Sequence, residues 1–335
     1  MQRLRPLTSC LAILALSLLT AAIACAVPDD PYQRWQLLEG TIHARARWIY
    51  ERIHYDSTPI DVVFVGPSRT AQGIDAPRLG ESLARLGAPS HVVNFSLAET
   101  GRNINYAVVR ELFKAKRPKL VVIGVMEKPS RTGHPAFKYL APASLIANPG
   151  YLGNLNYFSD LAYLPYRQVE LLAAKLAPRP SMTFDPARYP GPSLNTTGSI
   201  RLPDGSIKEG ERPAALSELD RGVRKLERGM HPPFLPRRMA DLEFGDERYY
   251  IRRIASLARA HGARVAFLFI PYYTGPSTLQ EQAFYDSLGP VWNAGYFSPH
   301  AELYADYGHL TRTGADQLTD WLTQPVASML KAQAK

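Results

Sequence analysis

The chain has 335 residues, 46% of them hydrophobic, and a formal net charge of +9. That length accommodates one large α/β domain with an insertion or two small domains, and the apolar share is enough for a packed core. Its two cysteines, Cys10 and Cys25, both lie near the N-terminus, so the rest of the chain is left without a disulfide or a thiolate metal site.

Arg3 and Arg5 precede an uncharged apolar run from Cys10 to Ala24, and Ala24-Cys25-Ala26 satisfies a small-x-small cleavage rule before Val27. Residues 1–27 therefore read as a secretory leader. It is either removed as a signal peptide or, since the run approaches the ~20 residues of a membrane span, retained as an anchor. Cys25 as a lipid-attachment site lacks the Leu or Val expected three residues before it. On either reading the body is exported, periplasmic or anchored to the cytoplasmic membrane from outside, where nucleic acid is not an expected partner. Removing the leader's two arginines leaves +7 for the body, which favours an anionic surface or polymer.

From Tyr32 to Tyr55, Trp35, Leu38, Ile42, Ile49 and Ile53 recur at helical spacing, and one amphipathic helix is expected there as packing. The β-branched run Asp61-Val-Val-Phe-Val65 then stops at Gly66-Pro67-Ser68. A buried strand ending in a tight turn presents the next side chain, Ser68, at the carboxyl edge of a sheet, where open α/β folds place ligands. Gly-Pro-Ser is equally ordinary turn and helix-cap chemistry.

A helix follows over about 77–86, then a strand at His91–Ser96, which together begin a β-α-β unit. Glu99-Thr-Gly101-Arg-Asn103-Ile-Asn105 opens the next helix, and Pro118–Met126 is the clearest buried strand, followed by Glu127, read as a solvated loop carboxylate or a hydrogen-bond acceptor near a site. From Ser130 to about Arg238 the pattern breaks down into Pro- and Gly-rich turns with helices at Tyr166–Leu176 and Pro213–Arg228. This stretch, residues 131–240, reads as an insertion or cap over the carboxyl edge of the sheet. It contains a chance-frequent glycosylation triplet at Asn195.

Regular structure resumes with a helix from Gly245 to His261 and a strand from Arg264 to Ile270. Tyr272 and Tyr273 follow where a pocket or a packed rim would lie. Near the end stands Tyr304-Ala-Asp306-Tyr-Gly-His309-Leu-Thr, with Thr311 as the cap of a last helix.

The Gly-Pro-Ser68-Arg turn and the Asp306-x-x-His309 motif together resemble the first and last blocks of the SGNH (GDSL-like) hydrolase and acyltransferase superfamily. The resemblance covers roughly residues 60–130 and 245–330. It implies a doubly wound, flavodoxin-like parallel sheet formed by residues 28–130 and 241–335, and a triad of Ser68 as nucleophile, His309 as base and Asp306 as its orienting acid. By the same resemblance Gly101 supplies a backbone N–H to the oxyanion hole. The third-block Asn that should donate a second hydrogen bond is missing, since Met126-Glu127-Lys128 stands there, and Asn103 or Asn105 is a candidate substitute. A Gly-x-Ser-Arg first block behind an N-terminal membrane segment resembles the exported proteins of bacterial surface-polymer O-acylation, which implies a polysaccharide or other acylated envelope polymer and a membrane-bound O-acyltransferase as partners.

A serine hydroxyl requires a base in reach, and the base an acceptor that fixes its tautomer; Asp306 and His309 supply both from one turn. No cofactor is called for, and His300, Asp306 and His309 form no recognised metal-ligand motif. Two functions are expected to compete. One is an exported serine-dependent O-acyltransferase or esterase acting on a cell-envelope or extracellular polysaccharide. The other is a catalytically degenerate SGNH-like module that binds a polysaccharide or a membrane acyltransferase.

Overall fold

The computed structural model describes residues 4–26, 28–177, 182–201 and 206–331. Five short strands make one all-parallel sheet: β1 (Val62–Val65), β2 (Val92–Asn94), β3 (Leu120–Val125), then, beyond the antiparallel hairpin β4 (Ser199–Arg201) and β5 (Ile207–Glu209), β6 (Arg264–Phe269) and β7 (Val291–Asn293). Their order is β2-β1-β3-β6-β7, a doubly wound, flavodoxin-like arrangement. The chain leaves β1 toward one edge and returns at β3 toward the other, so the switch point lies between the carboxyl ends of β1 and β3.

Alternation along the strands sorts the core into two layers. Val63, Val65, Val121, Ile123, Phe267 and Phe269 face one layer with Tyr250 and Ile254 of the helix Gly245–Ala260. Val62, Phe64, Leu120, Val122 and Leu268 face the other, with Leu79 and Leu83 of the helix Ala76–Arg85 and Leu318 and Leu322 of the helix Arg312–Lys331. Residues apolar on both faces of a strand give the unbroken runs that the sequence shows.

Three departures from the sequence reading have local causes. The helix expected across Tyr32–Tyr55 is two helices, Pro31–Gln36 and Ala46–His54, separated by turns in which Gly40 takes φ 78°. Trp35, Leu38, Ile49 and Ile53 are nonetheless buried. The first helix of the insertion begins at Tyr157 rather than Tyr166, running to Leu176 with Pro165 inside it. Strand β7 was not expected, because three half-covered edge residues carry no apolar run.

The insertion shares the body's core: Phe137, Leu140, Ile146 and Leu164 belong to the same layer as Val63 and Phe267. Residues Leu4–Ala26 form a helix packed along Tyr157–Leu176. Among the described residues no helix is long and apolar enough to cross a membrane. Val27, at the expected cleavage point, and the side chain of Cys25 lie outside the described residues.

Candidate active site

Ser68 opens the short helix Ser68–Gly73 directly beyond β1, at the carboxyl edge of the sheet. That helix sits so close to the neighbouring strand that a Cβ on Gly124 would lie 1.8 Å from Thr70 Oγ1. Glycine at 124 is what lets Ser68 occupy the end of β1.

The Asp306–His309 turn is built from its own backbone. The N–H groups of Gly308 and His309 donate to Asp306 Oδ1 at 2.8 and 2.9 Å, and an antiparallel bridge joins Tyr304 to Leu310. Thr311 Oγ1 accepts the Gly314 N–H and caps the last helix. With the carboxylate fixed, His309 Nδ1 lies 2.9 Å from both Asp306 oxygens, and His309 Nε2 lies 2.8 Å from Ser68 Oγ. A carboxylate only accepts, so Nδ1 carries the proton and Nε2 is left to accept from the Ser68 hydroxyl. Residues 241 positions apart in sequence thus form one continuous hydrogen-bond chain.

The structure treats the other site candidates differently. Gly101, at φ 136°, packs so tightly under the loop at 133–134 that a Cβ would lie 2.1 Å from His134 N. Asn103 is fully buried; its Oδ1 accepts the N–H of His134 at 2.8 Å and of Ile104 at 2.9 Å. Asn105 Oδ1 accepts from Arg102 Nη1 at 3.2 Å. None of the three lines the cavity that opens beside Ser68. The Oδ1 atoms of Asn103 and Asn105 hold backbone N–H groups and a buried arginine, while the Asn103 Nδ2 is buried with no hydrogen-bond partner.

Two reassignments follow. Glu127 is not a solvated loop carboxylate: it is 5% exposed and takes two hydrogen bonds from Arg69, at 2.6 and 3.3 Å. Arg69, the residue after Ser68, also lies over the Tyr272 ring at 5.4 Å. The position at which the resemblance expects an oxyanion-binding Asn therefore holds one half of a buried ion pair. Asn195, in the glycosylation triplet, donates through Nδ2 to Asp75 at 2.6 Å.

The cavity beside Ser68 measures about 260 Å³. Its walls come from Arg45 and Trp48 near the start of Ala46–His54, from Ser96 and Leu97 after β2, and from Leu194 and Ile207 of the insertion. The segment just after the insertion's hairpin is bonded to both flanks of the Asp306–His309 turn: Ala214 N–H donates to the Tyr304 carbonyl at 3.0 Å, and Arg312 N–H to the Gly210 carbonyl at 3.0 Å.

One further cluster has metal-ligand chemistry. His43, Glu99 and His134 bring ligand atoms within 4.8 Å of one another. Both nitrogens of His134 are already used, Nε2 donating to the Ala98 carbonyl at 2.5 Å and Nδ1 accepting the Ala136 N–H at 3.1 Å. Burial, with His43 close by, pushes the His134 pKa down to about 4, so this ring stays neutral as a hydrogen-bonded strut. No family model matches the chain, and no curated protein matches it.

Proposed function

We propose that the protein is an exported serine-dependent acyltransferase or esterase of the SGNH type, acting on acyl groups of a cell-envelope or extracellular polysaccharide. The observation that carries this reading is the Ser68–His309–Asp306 chain, with 2.8 Å at the nucleophile and 2.9 Å at the acid. Hydrogen-bond reach at both junctions is the geometry that general-base activation of a serine requires.

The chemistry runs in two steps. Ser68 Oγ attacks the acyl carbonyl while His309 Nε2 takes its proton, and Asp306 stabilises the imidazolium that results. The leaving alkoxide takes that proton from Nε2, which leaves an ester on Ser68. A water or sugar hydroxyl then attacks the ester, giving its proton to Nε2, and the proton returns to Ser68 Oγ as the acyl group departs. The Ser68 N–H, in a first helical turn where such groups have no intrahelical partner, is one donor to the oxyanion.

With Glu127 tied to Arg69, the third-block side-chain donor is absent, and loss of one such donor costs about 10²–10³ in rate. That favours an enzyme slow toward water, whose acyl groups pass to a bound hydroxyl with a membrane O-acyltransferase as the supplier. The competing reading is a binding module with no acyl-enzyme, and the missing donor is the feature that supports it.

Fluorophosphonate labelling of the purified protein separates the two. The active reading expects stoichiometric labelling that is lost in Ser68→Ala and in His309→Ala, with both variants folded. No labelling of the folded wild type, or labelling that survives Ser68→Ala, refutes it.

A further inference from the structure

We propose that the cavity beside Ser68 is an anion subsite. In it the Arg45 guanidinium, helped by the Ser96 hydroxyl, holds a carboxylate or phosphate carried by the polymer that receives the acyl group. The inference deepens the acyl-transfer reading and rests on it for the word acceptor; the anion site itself stands on separate observations.

Arg45 is the one charged side chain among the described residues that line this cavity. Its Nη1 reaches only the Ser96 carbonyl, at a long 3.4 Å, and among the described residues no carboxylate pairs with it. The carboxylate next to the cavity wall at Ala98, Glu99, is held by His43 at 3.3 Å instead. Ser96 is fully buried, and its Oγ has no hydrogen-bond partner. The unpartnered hydroxyl is costly because it is buried, and the guanidinium, which is only partly buried, has no counterion and stays open to a ligand; one anionic ligand would serve both.

Burial draws the Arg45 pKa down to about 10, which still leaves it charged at neutral pH. A guanidinium partly withdrawn from water, as this one is, binds an oxyanion more strongly than a fully exposed one, because less water competes. The backbone that presents it is fixed: Ala44 N–H donates to the Thr41 carbonyl and Ala46 N–H to the His43 carbonyl, which sets Arg45 at the mouth of the helix Ala46–His54.

Size and lining agree with a sugar-borne group. A cavity of about 260 Å³ has room for a sugar-sized unit. Trp48 and Leu97 supply apolar walls against which a sugar face packs, and Ser68 sits at the same cavity. An anion held by Arg45 therefore places a neighbouring hydroxyl of its own polymer near the acyl-serine. The charge of +7 on the body suits the same class of acceptor.

The test is calorimetric titration of the full chain with glucuronic acid, glycerol 1-phosphate and glucose, which separates a carboxylate from a phosphate and both from a neutral sugar. At least one anion is expected to bind where glucose does not, and Arg45→Gln should weaken that binding about tenfold or more. The same anion should slow fluorophosphonate labelling of wild-type Ser68 saturably, a readout that does not depend on the variant folding. Absence of binding by both anions, binding of glucose as tight as theirs, or undiminished binding by folded Arg45→Gln overturns the subsite. If Ser68 never labels but anion binding still depends on Arg45, the acyl-transfer reading falls and the anion subsite stands.

Discussion

The buried Arg69–Glu127 pair offers the sharpest test of how the site is held. Both side chains are about nineteen-twentieths buried, and two hydrogen bonds join Arg69, in the helix Ser68–Gly73, to Glu127 just beyond β3. Glu127→Gln keeps the shape and one acceptor but leaves the guanidinium without a counterion in a dry setting. Removing one partner of such a pair costs about 3–5 kcal/mol. Because the Gln carbonyl still accepts one hydrogen bond, the lower end, about 3 kcal/mol, is expected. The double variant Arg69→Met/Glu127→Leu removes both charges and should recover most of that loss, since apolar replacement of a buried pair is often neutral. Urea unfolding at pH 7 followed by tryptophan fluorescence reads both, with the slope unchanged in a two-state transition. A loss below about 1 kcal/mol for Glu127→Gln, or no recovery in the double variant, would refute the claim that this pair is desolvated and mutually dependent.

Three further outcomes follow from the same geometry. Asp306→Asn places an amide donor against His309 Nδ1, drives the proton to Nε2 and blocks acceptance from Ser68, so the fluorophosphonate labelling rate should fall by about 10⁴ with the fold intact. Gly101→Ala puts a Cβ 2.1 Å from a backbone nitrogen at φ 136°, and thermal unfolding should show a loss of at least about 3 kcal/mol; a stable variant would contradict the packing at His134. Asp246 has its pKa pushed up to about 7, chiefly by burial and further by Glu247. The fold therefore favours the protonated acid. Its contribution is present below pH 4 and is lost by about 1.4 kcal/mol per unit as pH rises toward 7. Asp246→Asn should accordingly gain stability over the wild type at pH 8 and match it at pH 4, and equal melting temperatures at pH 8 would oppose this.

What the sequence disclosed follows from which signals are local. Strands β1, β3 and β6 are covered on both faces, so Val62–Val65, Leu120–Val125 and Arg264–Phe269 stand out as apolar runs. The Asp306–His309 turn is legible because its hydrogen bonds close within three residues. Glu127 and Arg69 meet across 58 residues, and neither carries any periodic signal of the other, so the pair was invisible. Arg45 was missed for the same reason, since its meaning depends on a cavity assembled from segments far apart in the chain. The extra helical turns from Tyr157 were hidden by Pro165, which reads as a stop even though a helix packed on its flank tolerates the missing hydrogen bond. The break at Gly40 fell inside a spacing that two helices on one surface reproduce as well as one.

The insertion joins the Asp306–His309 turn to the cavity beside Ser68. Leu194 and Ile207 wall the cavity, while Ala214 and Gly210 bond the backbone at Tyr304 and Arg312, on either side of Asp306 and His309. Each of those backbone bonds is worth only about 1 kcal/mol. Together they tie the segment that walls the cavity to the loop that carries Asp306 and His309. If the acyl-transfer reading proposed above holds, a polymer seated against Leu194 and Ile207 would bear on the segment whose backbone is bonded on either side of His309, which would link occupancy of the cavity to alignment of Ser68, His309 and Asp306. On that same proposed reading, the absence of a side-chain oxyanion donor would make orientation of the acceptor hydroxyl the larger share of any rate enhancement, so loosening the Gly210 or Ala214 bonds should slow acyl transfer more than it slows fluorophosphonate labelling of Ser68.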